Sequence, residues 1–122
     1  GQHLNSFVND AIGYGMESEV LLMYTVRAFG TADAIKFDDK ILRIHDLKTG
    51  TTTVNNGQVD IYGALFCLEY GIKPSAIDMD FRIYQSDTVI RWAPEPSDIA
   101  RIMRKIRHFD RLIENIEVSN AY

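Results

Sequence analysis

The sequence predicts a mixed α/β (α+β) fold, a central mixed five-stranded sheet flanked by helices. Five segments carry the polar–apolar alternation or the β-branched and aromatic content of strands. Three others place apolar residues every three or four positions, as helices do. Their order along the chain is helix, three strands, helix, two strands, helix.

Leu4, Phe7, Val8, Ala11 and Ile12 recur at helical spacing, so residues 4 to 12 read as a short amphipathic helix that Gly13 and Gly15 stop. The apolar and aromatic run Val20 to Phe29 suits a strand, and Gly30 punctuates it. Thr31 to Phe37 is its expected partner. Asp38-Asp39-Lys40 is a polar turn into a third strand, Ile41 to Lys48. A polar loop follows, ending at Asn55-Asn56, which offer helix caps. Val59, Tyr62, Phe66 and Tyr70 then mark a buried helix over 57 to 70, closed by Gly71. Ala76 to Gln85 alternates as a half-exposed strand does, Ser86-Asp87 turns, and Thr88 to Ala93 returns before Pro94 and Pro96. From Ile99 to Ile116 one apolar stripe (Ile99, Ile102, Met103, Ile106, Phe109, Ile113, Ile116) predicts an amphipathic helix to about Glu117.

At 122 residues the chain has the length of one domain with one core, so 1–122 is read as a single unit. It is 46% apolar and 25% charged, which argues against disorder. No apolar run approaches a membrane span, and the start lacks the basic and apolar stretches of a signal peptide. One cysteine, Cys67, excludes an internal disulfide framework and a multi-cysteine zinc site. A cytoplasmic protein is expected. The net charge of −4 argues against a protein that coats nucleic acid, but not against an enzyme that acts on it.

The chemistry-bearing residues fall close together in this layout. Asp46 and Lys48 are two apart at the end of the third strand and so project from one face. Asp33, in the second strand, reaches the same end of the sheet if the two strands pair through the Asp38–Lys40 turn. Two carboxylates and an ammonium suit phosphodiester hydrolysis: hard oxygens hold Mg²⁺ or Mn²⁺, and a lysine offsets charge developing at phosphorus. Taken alone, Asp-x-Lys at a strand end is more often a solvated pair. Its apolar surroundings, where a carboxylate is costly, raise its weight.

Gly30-Thr31-Ala32-Asp33, Asp46-Leu47-Lys48 and Gln58-Val59-Asp60-Ile61-Tyr62 resemble, in order, the GxxD, (D/E)xK and QxxxY motifs of RecB-like and lambda-exonuclease-like nucleases of the PD-(D/E)XK superfamily, most of all small phage-encoded members. The resemblance covers about Val20 to Tyr84 and implies a restriction-endonuclease-like core. It implies that Asp33, Asp46 and the main-chain carbonyl of Leu47 ligate Mg²⁺ or Mn²⁺, with Lys48 as the catalytic lysine. Gln58 and Tyr62, one turn apart, would face the site and the DNA backbone. The activity implied is that of a metal-dependent deoxyribonuclease, expected to be an exonuclease of phage or bacterial DNA recombination, repair, replication or defence. DNA is the expected partner, with a homo-oligomer or a recombination protein as further partners.

Family members usually carry another acid, often with a histidine, on a helix ahead of the first strand. Here Asp10, Glu17 and Glu19 are the carboxylates of that region, none in a recognisable motif, and His3 stands at the extreme start. A helix upstream of this chain is therefore expected to complete the site. The rival expectation is a catalytically silent nuclease-fold fragment acting as a DNA- or protein-interaction module. His45 should point to the sheet face opposite Asp46, Cys67 should be buried and inert with no iron–sulfur cluster, and Trp92 should pack in the core or at an edge. Arg101, Arg104, Lys105, His108 and Arg111 form a basic stripe on the last helix. It suits either a phosphate backbone, with Arg101, Arg104 and Lys105 in contact, or plain solvation.

Overall fold

Three helices and five strands follow one another in the computed structural model, which describes residues 2–50 and 57–121: α1 (Gln2–Tyr14), β1 (Glu17–Thr25), β2 (Ala28–Asp38), β3 (Ile41–Lys48), α2 (Gly57–Tyr70), β4 (Asp78–Gln85), β5 (Thr88–Trp92) and α3 (Pro96–Ala121). The expected Asn55–Asn56 caps lie outside the described residues, as does the side chain of His3. The strands form one sheet in the order β1-β2-β3-β4-β5. Only β3 and β4 are parallel, and α2 is the crossover that a parallel neighbour requires. This is the mixed α+β sheet with flanking helices that the element order predicts.

Glycine ends the first two helices. Gly15 (φ 67°) lets the amides of Gly15 and Met16 return to the carbonyls of Ile12 and Ala11, and Gly71 (φ 64°) lets Ile72 return to Cys67. These αL turns satisfy carbonyls that the helix leaves open. Gly13, expected to stop α1, lies within it. The β2–β3 hairpin turns on Asp39 and Lys40, both at positive φ, the twist a two-residue hairpin favours.

The first hairpin differs from expectation. The run Val20 to Phe29 is not one strand: the chain reverses at Val26 and Arg27, and Gly30 lies inside β2, opposite Leu22. Gly30 serves clearance instead. A Cβ there would sit 2.7 Å from Tyr62 Cε1, so the glycine lets the ring of an α2 residue lie against the strand.

The main core lies between the sheet and α2, from Leu22, Ala32, Ile35, Leu42, Ile44, Phe81 and Ile83 to Val59, Ala64, Leu65 and Cys67. α2 is buried on the sheet side and packed by α3 on the other, which is why it is apolar nearly all round. Ile99 and Met103 anchor α3. On the opposite face α1 packs against β3 and β4. Among the described residues, no helix is long and apolar enough to cross a membrane.

Candidate active site

Strand alternation delivers Asp46 and Lys48 to the α2 face of β3, beyond the core residues Leu42 and Ile44. Lys48 Nζ lies 2.8 Å from Asp46 Oδ2. Asp33 arrives there by a break in β2. Ala32 and Ile35 both join the α2-side core, although an odd spacing would send them to opposite faces in a regular strand. The break falls where β1 pairing skips from Ser18↔Ala34 to Val20↔Ala32, opposite Glu19 with its φ of 53°. Beyond it Asp33 shares a face with Ile35, and the register Ala34↔His45, continued by one pair, sets it across from Asp46. Asp33 Oδ2 accepts the amide of Leu47 at 2.8 Å.

α2 closes the site from above. Gln58 Oε1 accepts a hydrogen bond from Lys48 Nζ at 2.6 Å, so the ammonium is held between Asp46 and Gln58. Tyr62 lies one turn along, and its hydroxyl feels both carboxylates and the lysine. Burial first, then the charge of Asp46, pushes the Tyr62 pKa up, so at neutral pH it holds its proton. Burial also pushes the Asp46 carboxyl above the usual carboxylate range; Lys48 opposes that shift and the neighbouring Asp33 adds to it.

Asp46 is 4% exposed, and its Oδ2 makes no hydrogen bond despite the ion contact with Lys48. A buried carboxylate oxygen with unused lone pairs, facing a second carboxylate, is a donor set that a hard divalent cation fits. Among the described residues no group of three His, Cys, Asp or Glu side chains gathers. An ion held here would complete its shell with a main-chain carbonyl and water, as Mg²⁺ commonly does.

Asp10, Glu17 and Glu19 do not join Asp33 and Asp46. Asp10 accepts the Tyr84 hydroxyl at 2.5 Å on the far face of the sheet and lies 3.5 Å from Arg82. Glu17 lines a separate apolar pocket with Phe66 and Tyr70. Glu19 is exposed at the strand break opposite Asp33.

His45 is fully buried under α1 against Tyr14 and Tyr84, on the face opposite Asp46 as strand alternation requires. Cys67 is buried, its thiol pushed up to about 11 by burial. Trp92 packs edge-on to Phe81 and donates Nε1–H to Asp60 at 3.0 Å. The basic stripe of α3 is divided. Arg101 and Lys105 line a groove with α2 and the β1–β2 turn, whereas Arg104 lines a different cleft with Lys73 and Arg107. The polar cluster beneath α1, where Asp80 meets Arg43, Arg82 and Arg91, had no sequence signal beyond alternating charges in β4.

No family model and no curated protein matches the chain. Among solved structures, that of SSO0001 is similar to it, with a TM-score of 0.45 and 13% identity over 88% of this chain and 56% of that one. The chain thus spans little more than half the length of SSO0001.

Proposed function

We propose that this chain is a divalent-metal-dependent DNA nuclease of the PD-(D/E)XK, RecB-like type, an exonuclease of phage or bacterial DNA recombination, repair, replication or defence. One observation carries the reading: Asp33, Asp46, Lys48, Gln58 and Tyr62, dispersed over three elements, meet on one face at the end of β3. Asp33 and Asp46, with the Leu47 carbonyl, would hold Mg²⁺ or Mn²⁺. The bound ion would supply positive charge to a phosphoryl oxygen and acidify a water.

The remaining work falls to side chains. Gln58 fixes the Lys48 ammonium, whose charge offsets that developing on the attacked phosphate and whose N–H groups orient the incoming water. Tyr62, which stays protonated, offers its O–H to the phosphate backbone. Asp33, bonded to the Leu47 amide, holds the middle of β2 against the end of β3, so the groups around the scissile bond are fixed before substrate arrives.

The test is hydrolysis of end-labelled duplex and single-stranded DNA with Mg²⁺ or Mn²⁺. Wild type should cut, and Asp46→Asn or Lys48→Ala should lose at least about 100-fold in rate while melting within a few degrees of wild type. Two folded variants cutting at the wild-type rate would end the nuclease reading. The absence of a third His, Cys, Asp or Glu beside the two carboxylates, among the described residues, favours a second reading, a silent interaction module. That reading requires DNA or protein binding with no cleavage under either metal.

A further inference from the structure

We infer that the groove between α2, α3 and the β1–β2 turn is a track for single-stranded nucleic acid that continues the site at Asp33, Asp46 and Lys48. The chemical class of its occupant rests on the nuclease reading.

The groove has a volume of about 560 Å³. Ile102, Ile106, Phe109 and Ile113 of α3 form one wall, and α2 contributes Gly57 and Ile61 to the other. Spacings of four, three and four place the α3 residues on one stripe. The sequence implies that this stripe is the buried face of the helix, yet Phe109 is 58% exposed and Ile113 44%. Ile61 across the groove is 43% exposed. An apolar floor with an open aromatic ring takes the faces of unstacked bases, which a duplex keeps hidden.

Charge selects an anionic occupant. Arg27, Arg101 and Lys105 line the groove. Lys105 has no carboxylate partner among the described residues, and Arg101 makes only an exposed contact with Asp98 at 3.3 Å. The two carboxylates on the lining are already engaged: Asp60 accepts from Trp92, and Asp110 from Thr25 and Arg27. Arg27 and Asp110 offset each other, whereas Asp60 accepts only a neutral N–H and keeps its charge; Arg101 and Lys105 against Asp60 leave the lining net positive, as a phosphate backbone requires.

Position ties the groove to the site. Gly57 and Ile61 each precede by one residue Gln58 and Tyr62, the two residues that α2 gives to the site. The same two turns of α2 face the catalytic residues on one side and the groove on the other. Among the described residues, those turns of α2 lie between Lys48 and the groove.

The experiment is fluorescence anisotropy of a labelled oligothymidylate and of a duplex of equal length, on the full chain in EDTA, at several salt concentrations. Wild type should bind the single strand more tightly. Phe109→Ala should weaken it about tenfold and Phe109→Trp should restore it. Arg101→Gln with Lys105→Gln should lower the slope of log affinity against log salt by about 1.4, two phosphates' worth on a single strand. Unchanged affinity and slope in both folded variants would overturn the inference, and would point to a protein chain in the groove. The two readings fail separately. Wild-type cleavage with groove variants that bind normally sinks the track alone. Groove-dependent binding without cleavage under Mg²⁺ or Mn²⁺ sinks the nuclease alone.

Discussion

Asp33 accepts the main-chain N–H of Leu47, joining β2 to β3 one residue past Asp46. The carboxylate therefore does two things: it adds negative charge beside Asp46, and it satisfies an amide beyond His45, the last β3 residue that pairs with β2. Substitution separates them. Asn keeps an oxygen that accepts the amide but loses the charge, whereas Ala loses both. Asp33→Asn should melt within a couple of degrees of wild type, and Asp33→Ala should cost about 1–2 kcal/mol for the unpaired amide. Both should lose most Mn²⁺ affinity by calorimetry. Equal melting of the two variants would show that the Leu47 contact has no structural weight.

Gly30 and Tyr62 form a second coupled pair. A methyl at position 30 would stand 2.7 Å from Tyr62 Cε1 and 3.2 Å from Cδ1, with Leu65 at an ordinary 3.7 Å. Gly30→Ala should therefore cost about 1–3 kcal/mol by overpacking and push the tyrosine off the site. In a Tyr62→Ala background the obstacle is gone, and the same change should become neutral or stabilising, because alanine suits a strand better than glycine. A double-mutant cycle by urea denaturation reads the sign. A cost that persists without the ring would move the role of Gly30 to the backbone.

Arg27 makes the turn of the first hairpin into an anchor for α3. Its Nε donates to Asp110 at 3.0 Å, its other nitrogens approach Glu114 and Glu117 at 3.7 and 3.5 Å, and Asp110 also accepts from Thr25 at 2.5 Å. Asp110 is 8% exposed, so removing Arg27 leaves a largely buried carboxylate short of a partner. Arg27→Ala should lower the melting temperature, and hydrogen exchange should rise from Asp110 to Ala121 while α2 stays protected. Uniform exchange along α3 in the variant would show that packing at Ile99 and Met103 holds the whole helix.

Much of this was legible in the sequence where period and surroundings agreed. The two-residue spacing of Asp46 and Lys48 fixes their shared face, and the opposite placement of His45 follows from the same alternation. Asp33 was harder. Its face depends on a break between Ala32 and Ile35 that alternation cannot foresee, since the small residues Gly30, Ala32 and Ala34 mark neither face of β2. The hairpin turn at Val26–Arg27 hides within an apolar run that lacks the usual turn residues, and Gly30, read as punctuation, is clearance for a ring thirty-two residues on. Amphipathicity marked the apolar stripe of α3 but not how far the body beneath it extends. The stripe is closed at Ile99 and Met103 and open from Phe109.

His45 ties the fold to pH. It is fully buried, with Nδ1 3.3 Å from the Tyr84 hydroxyl and Nε2 without a hydrogen-bond partner. Burial, then repulsion from Arg82, lowers its pKa to about 4, although Asp80 and Asp10 pull the other way and Arg43 adds to the lowering. The unfolded chain takes up this proton near the ordinary value of 6.5, and the folded chain only near 4. Between those values the unfolded state binds more protons, so stability rises with pH. The contribution is fully present above 6.5 and drains away as pH falls toward 4, reaching about 3 kcal/mol. Urea titrations from pH 7 to 4.5 should show this loss in wild type, and His45→Leu, which suits the Tyr14 and Tyr84 rings, should flatten most of it. Asp80 of the same cluster titrates lower in the range, since, against its burial, the arginines hold its carboxyl below its ordinary value. An equal slope in wild type and His45→Leu above pH 4.5 would assign the acid sensitivity to other groups.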